Sequence, residues 1–233
     1  MKVAMMQPYF FPYLGYFQLV NAVDVFIFAD DMNFIKGGFI NRNKILFKNE
    51  ERYVTVPCFQ SQNKLINEIQ ISIETKGYPE TLLLTIKHAY AKAPFFLDVF
   101  PLIESIFYPK EYNIARLAAN SVEKVSKYLG INTDFKYSSS SFKHTKGQDK
   151  SDRLINITKE LGGNTYRNPI GGSLLYNKDY FKKQGINLEF LVIDKIVYPQ
   201  FGDNFVPNLS IIDVLMFNSI ENINKLLNQY KIV

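Results

Sequence analysis

The chain has 233 residues, 47% of them apolar and 15% aromatic, with 20 Phe and 15 Tyr but no Trp. That apolar share excludes a disordered chain, and the length allows one domain with a large insertion. A net charge of +5 is compatible with an anionic small ligand, nucleic acid or a negatively charged membrane face, and no basic run with interleaved aromatics argues for nucleic acid.

The single Cys58 excludes an internal disulfide, and with only His88 and His144 available it excludes a cysteine–histidine zinc pattern. No apolar run reaches the roughly eighteen residues of a spanning helix. Pro8 and Pro12 break the amino-terminal segment, which therefore lacks the apolar core of a signal peptide. The expectation is a cytoplasmic protein with no cofactor, no transmembrane segment and a small-molecule ligand.

The first stretch, Met5 to Asp31, sets the architecture. Lys2 to Met6 is a short apolar run ended by Gln7-Pro8, from Leu14 apolar residues recur with helical spacing, and Asp24 to Ala29 reads as a buried strand. A strand, a crossover of this length and a second apolar strand predict a parallel βαβ start. Gln7 to Gly15 then stands at the carboxyl end of the first strand, where open α/β sheets hold ligands and a helix amino terminus offers N–H groups to an anion.

Phe39 to Phe47 and Arg52 to Pro57 alternate at period two and predict a hairpin around Asn49-Glu50-Glu51, with Ile66 to Ile73 as a third strand. Residues 35–75 thus read as a β-rich insertion and 78–130 as a helical segment, with helices from Tyr78 to Tyr90, after Pro94, and from about Tyr112 to Leu129. Asp134 to Tyr137 is a strand candidate and Ser138 to Ser141 a loop. After Asp149 a helix ends at Gly162-Gly163. Thr165-Tyr166 begins a strand, Ile170 to Gly172 is a turn, Lys178 to Lys183 a short helix and Leu188 to Ile193 the clearest late strand, and Ser210 opens the last helices to about Gln229. The fold class expected is α/β: a parallel-sheet, Rossmann-like (HUP-like) core in a single domain over 1–233, carrying the β-hairpin insertion and the helical segment.

Candidate site residues follow from side-chain chemistry. Gln7, Tyr9, Tyr13 and Tyr16 pair stacking faces with hydrogen-bonding tips, Gly15 marks the turn, and Asp30 ends the second strand where a carboxylate can hold a ribose hydroxyl. Asn41-Arg42-Asn43-Lys44 puts two amides beside two cations, with Arg42 and Lys44 sent to one face if the strand begins there, and an arginine fork binds phosphate or carboxylate bidentately. Lys146, Lys150 and Arg153 stand before a helix, suited to a diphosphate. His144 is the candidate general base, with Asp30 as the second catalytic candidate. Cys58 reads as a buried small hydrophobe and Asp213 as a core carboxylate served by neighbouring donors.

Two resemblances attach to these residues. Tyr13-Leu14-Gly15-Tyr16 is similar in spacing to the His-x-Gly-His turn of the nucleotidyltransferase and pantothenate synthetase superfamily, with tyrosine in place of both histidines, and tyrosine lends no positive charge to a departing phosphate. Over nearly the whole chain, QPYFFPYLGYFQLV, FINRNKI (Phe39 to Ile45), TVPC (Thr55 to Cys58), DKSDRLINITKELGGNTY (Asp149 to Tyr166) and YPQFGDNFVPNLSIIDVLMFN (Tyr198 to Asn218) resemble the WbqC-like protein family. The chain departs from that family's pattern at RNPIGG, Arg167 to Gly172. The resemblance implies a role in bacterial O-antigen or other surface-polysaccharide synthesis, as a transferase passing an aminoacyl (glycyl) group to a nucleotide-linked amino sugar. A non-catalytic nucleotide-sugar binder and an ATP-using ligase of the His-x-Gly-His superfamily remain open beside it.

Overall fold

The computed structural model describes residues 1–59, 63–108 and 110–233. β1 (Lys2–Met6), α1 (Leu14–Asn21) and β2 (Val25–Phe28) form the predicted βαβ start, with Val3 opposite Val25 and Met6 opposite Phe28 in a parallel pair. β3 (Arg42–Phe47) and β4 (Glu50–Thr55) form a separate antiparallel pair. Then come α2 (Glu80–Tyr90), α3 (Phe96–Phe107) and α4 (Ile114–Tyr128). The chain returns to the main sheet through β5 (Asp134–Tyr137), α5 (Ser138–Ser141), α6 (Lys150–Glu160), β6 (Thr165–Pro169), α7 (Lys178–Lys183) and β7 (Asn187–Ile193). α8 (Ile211–Phe217), α9 (Ile220–Leu226) and β8 (Tyr230–Ile232) close it.

The six-stranded sheet runs β5-β2-β1-β6-β7-β8, parallel except for the antiparallel edge strand β8. The chain therefore works outward from β1 through β2 to β5, then crosses back to lay β6 on the other side of β1. This is the doubly wound order, and its reversal between β1 and β6 is where such sheets open a crevice at their carboxyl edge. Period-two alternation divides the strand residues between two cores. Val3, Met5, Val25 and Ile27 pack with Leu154, Ile155 and Ile157 of α6, and Ala4, Phe26 and Phe28 pack with the α1, α4 and α8 side. Both faces of the parallel sheet are thus covered, as its unbroken apolar strands require.

Four local expectations are corrected. The hairpin turn is Lys48-Asn49, both at positive φ, rather than Asn49-Glu50-Glu51, because a two-residue turn matched to strand twist needs left-handed residues and asparagine tolerates that region. Ile66 to Ile73 is not a strand. Ile66–Glu68 makes a 3-10 turn, closed by the Glu68 carboxylate accepting from the Leu65 N–H at 2.9 Å, and beyond it only single bridges form, Gln70 with Asn113 and Ile71 with Cys58. Ser138 to Ser141 is one helical turn rather than a loop, and the Asp30 carboxylate accepts the Ser139 N–H at its start. The carboxyl terminus adds β8, which the helical reading to Gln229 leaves unassigned: Tyr230–Ile232 is too short and mixed to show a period, and pairing with β7 fixes it.

Candidate functional site

The segment from Gln7 to Gly15 does not form one phosphate-gripping turn. Phe10 and Phe11 are fully buried, and Phe11 takes a positive φ of 40°. Their backbone groups are all engaged: Asn43 Nδ2 donates to the Phe10 and Phe11 carbonyls at 3.1 and 2.8 Å, Ser210 Oγ donates to the Phe11 carbonyl at 2.7 Å, and the Phe11 N–H donates to Ser121 Oγ at 2.9 Å. These two rings split the expected site. Gln7 and Tyr9 line one cavity, and Tyr13 and Gly15 line another.

The first cavity, about 300 Å³, lies at the reversal between β1 and β6. Met5, Met6 and Gln7 enter from β1, Ala29 and Met32 follow β2, Tyr166 and Asn168 end β6, and Lys150, Arg153 and Leu154 come from the first turns of α6. Leu175 and Tyr176, after the Gly171-Gly172 turn, close the remaining side. Gly172 makes room for one of these walls, since a Cβ there would lie 2.1 Å from Asn168 Nδ2. The lining holds two cations, two amides and three tyrosines, and none of its residues is an Asp, Glu, His or Cys. Burial keeps Tyr9, Tyr166 and Tyr176 protonated above the usual phenol range, so they serve as hydroxyl partners and ring faces. This arrangement suits a ligand with a ring and a negative charge.

Arg153 is fixed rather than free. It is buried, its Nη2 donates to Asp31 Oδ2 at 2.6 Å, and its Nε donates to Thr145 Oγ1 at 3.1 Å. Burial works against the charge on Asp31, but the hydrogen bonds from Arg153 and Ser138 and the charge of the guanidinium outweigh it and hold the carboxyl below its usual range. Asp31 also borders a neighbouring cleft with Ser139, Lys143 and Lys146, so Lys143, Lys146, Lys150 and Arg153 run in sequence along two adjoining openings.

The profile of the WbqC-like protein family matches residues 7–225, from the first polar residue of the cavity to the last helix. The chain belongs to this family. The uncharacterized protein Rv1507c of Mycobacterium tuberculosis is 26% identical over 220 residues, covering 93% of each chain. No solved structure gives a significant match. In this WbqC-like protein the segment RNPIGG, Arg167 to Gly172, ends β6 and turns along the cavity.

Of the residues expected from sequence, the cavity gathers Gln7, Tyr9, Lys150 and Arg153, and the adjoining cleft takes Lys146. Tyr16 is buried, its hydroxyl donating to the Gln7 carbonyl at 2.9 Å, so it props the wall from behind. Asp30 has its carboxylate filled by Ser138 Oγ, Ser139 N and Ser139 Oγ at 3.1, 2.9 and 2.6 Å, an anchor for α5. His144 is exposed and joined to Glu160 at 2.9 Å on the surface. Asn41 donates to the Val56 carbonyl at 2.9 Å across the hairpin, and Lys44 pairs with Glu51 at 2.5 Å. Arg42 donates to the Gly37 and Gly38 carbonyls and lays its guanidinium 4.3 Å from the centre of the Tyr53 ring. None of these six lines either cavity. Cys58 has its thiol pushed up to about 12 by burial, which makes it inert at neutral pH.

Tyr166, Asn168 and Tyr176 are lining residues that the sequence reading did not single out. Their only sequence signal is position, at the end of a late strand and just past a double glycine.

The second cavity, about 520 Å³, lies between the start of α1 and the segment 193–209, and its walls include Tyr13, Ile193, Tyr198, Phe205 and Leu209. Gly15 serves packing here, because an added Cβ would meet Ile193 Cδ1 at 2.1 Å and Tyr13 Cε2 at 2.5 Å. Tyr198 is held by Asp213, whose buried carboxylate accepts from Tyr198 Oη at 2.9 Å, Tyr90 Oη at 2.8 Å and Gln200 Nε2 at 2.7 Å. Burial raises the Asp213 carboxyl above its usual range despite those three neutral donors.

Proposed function

We propose that the protein binds a nucleotide-linked sugar in the cavity between β1 and β6 and acts in bacterial surface-polysaccharide synthesis, as a transferase that modifies an amino group on that sugar. The observation that supports this most is the lining itself: Lys150, unpaired among the described residues, and the Asp31-held Arg153 at the start of α6 face a space walled by tyrosines and by the Gln7 and Asn168 amides, with no carboxylate among the lining residues. Membership of the WbqC-like family supports the pathway.

The tyrosine rings suit the flat base, the cations suit the phosphates, and the amides suit sugar hydroxyls. With no carboxylate, histidine or cysteine among the lining residues, the transfer rests mainly on positioning an amine against an activated acyl group. The reading is tested by thermal melting with UDP- and GDP-linked amino sugars, the corresponding free sugars, and ATP. A nucleotide-linked sugar is expected to raise the melting temperature where the free sugar does not. A shift with ATP alone, accompanied by pyrophosphate release, supports the ligase alternative, and no shift with any nucleotide rejects the reading.

A further inference from the structure

Charge and exposed apolar area meet on one side of this molecule. Residues 143–183 hold nine Lys and Arg against four Asp and Glu, so this one segment carries the whole net charge of the chain and the remainder is balanced. Lys143, Lys146, Lys150 and Lys178 on it are exposed, and among the described residues none of them sits in an ion pair. The same segment contains the turn after β6, where Leu174 is 93% exposed and Leu175 66% exposed. Across the cavity the loop after β2 presents Ile35, 55% exposed, next to Lys36, and its neighbours Met32 and Phe39 are exposed as well. Met32 and Leu175 line the cavity itself, and Phe39 packs against the lining residue Tyr9 with ring centres 6.0 Å apart.

Two loops that border one opening thus both carry apolar side chains into solvent, with unpaired lysines beside them. Scattered single apolar residues need no explanation, but a rim of them around a cationic mouth marks an interaction surface. Apolar side chains flanked by lysines are the composition of a surface that settles into the headgroup region of an anionic bilayer. We propose that this face docks on an anionic membrane surface, with Ile35 and Leu174 entering the interface and the cavity opening along the lipid boundary. An acidic protein partner fits the lysines but gives no reason for Leu174 to stand free of any groove. The inference uses the functional reading only to explain why docking is useful, since a sugar modified for the cell surface is used at the membrane. The docking itself is measured without ligand.

The test is flotation of the full chain with vesicles of phosphatidylcholine alone and of phosphatidylcholine with phosphatidylglycerol. Each lysine near an anionic leaflet contributes about a fivefold gain, so two or three engaged lysines predict binding to anionic vesicles on the order of thirtyfold or more above neutral ones, falling with added salt. The double variant I35S/L174S, whose residues line neither cavity, is expected to lower anionic-vesicle binding about tenfold or more, and K36E/K178E to abolish the preference for anionic lipid. Leu97→Ser, at an 83% exposed position on α3, is expected to leave binding unchanged. Absence of wild-type binding to anionic vesicles overturns the proposal, as does equal loss in Leu97→Ser and I35S/L174S. Melting shifts with nucleotide-linked sugars, run on the same variants, report the ligand site separately: intact shifts with no vesicle binding reject docking alone.

Discussion

The two cavities at the carboxyl edge of the sheet lie on either side of the Phe10-Phe11 plug, and each has a wall held by a buried carboxylate, yet the two carboxylates are arranged in opposite ways. Asp31 faces a guanidinium and is held charged, which fixes Arg153 in a cationic, amide-lined cavity. Asp213 faces two phenols and an amide, is pushed towards its neutral form, and supports Tyr198 in a larger cavity whose lining carries both signs of charge, Asp194 and Lys195. The difference teaches that proximity to the start of α1 does not define the ligand site here. The α1 amino terminus opens on the cavity where Asp194 offsets Lys195, and uncompensated positive charge lies where α6 begins.

The comparison breaks most visibly at Asp31. Asp31→Asn leaves Arg153 buried without its counter-charge, and chemical denaturation is expected to show a loss of about 3 to 5 kcal/mol. Asp213→Asn removes no ion pair and keeps the shape, so its loss is expected to be about 1 to 3 kcal/mol, the scale of a disturbed buried hydrogen-bond set. An equal cost for the two variants contradicts the distinction drawn between the sites.

Acid titration sharpens the same contrast. The folded Asp31 has a carboxyl below its unfolded value, so its contribution is present above the usual carboxylate range and lost as pH falls through the lowered folded value. The folded Asp213 has the opposite displacement, so its contribution is largest when protonated and declines as pH rises from the usual range through the raised value. Unfolding free energies measured down a pH series should therefore show the gap between wild type and Asp31→Asn narrowing with acid while the gap for Asp213→Asn widens.

The smallest effect is expected at Gly15. The atoms in the way of a Cβ are side-chain atoms of Ile193 and Tyr13 rather than backbone, so Gly15→Ala should cost about 1 kcal/mol, the low end for overpacking, and should leave binding in the β1–β6 cavity unchanged.

Much of the fold was legible because strong period-two and period-3.6 patterns lie where the elements do. Lys2 to Met6, Asp134 to Tyr137 and Lys178 to Lys183 stand where they were read, and the parallel pairing of β1 with β2 followed from crossover length. The site was legible only in part. Gln7, Tyr9, Lys150 and Arg153 were identifiable by chemistry, but their company was not, because Asn168 and Tyr176 reach the cavity from segments some 160 residues beyond Gln7 and Tyr9. Arg42 shows the opposite limit. Its fork is suited to phosphate, yet a loop with glycines at 37 and 38 and the face of Tyr53 lie within its reach and engage it, and neither contact leaves a mark in strand alternation.

The central claim, that the anionic ligand lies between β1 and β6 against the start of α6, is tested most directly at Lys150, which lines the cavity and is exposed in the unliganded protein. Titration calorimetry with the nucleotide-linked sugar that gives the largest melting shift should show Lys150→Ala binding about five- to thirtyfold more weakly, roughly 1 to 2 kcal/mol, with the unliganded melting temperature unchanged. Unaltered affinity in Lys150→Ala together with weakened affinity in Gly15→Ala would place the ligand in the cavity beside α1 and contradict the account.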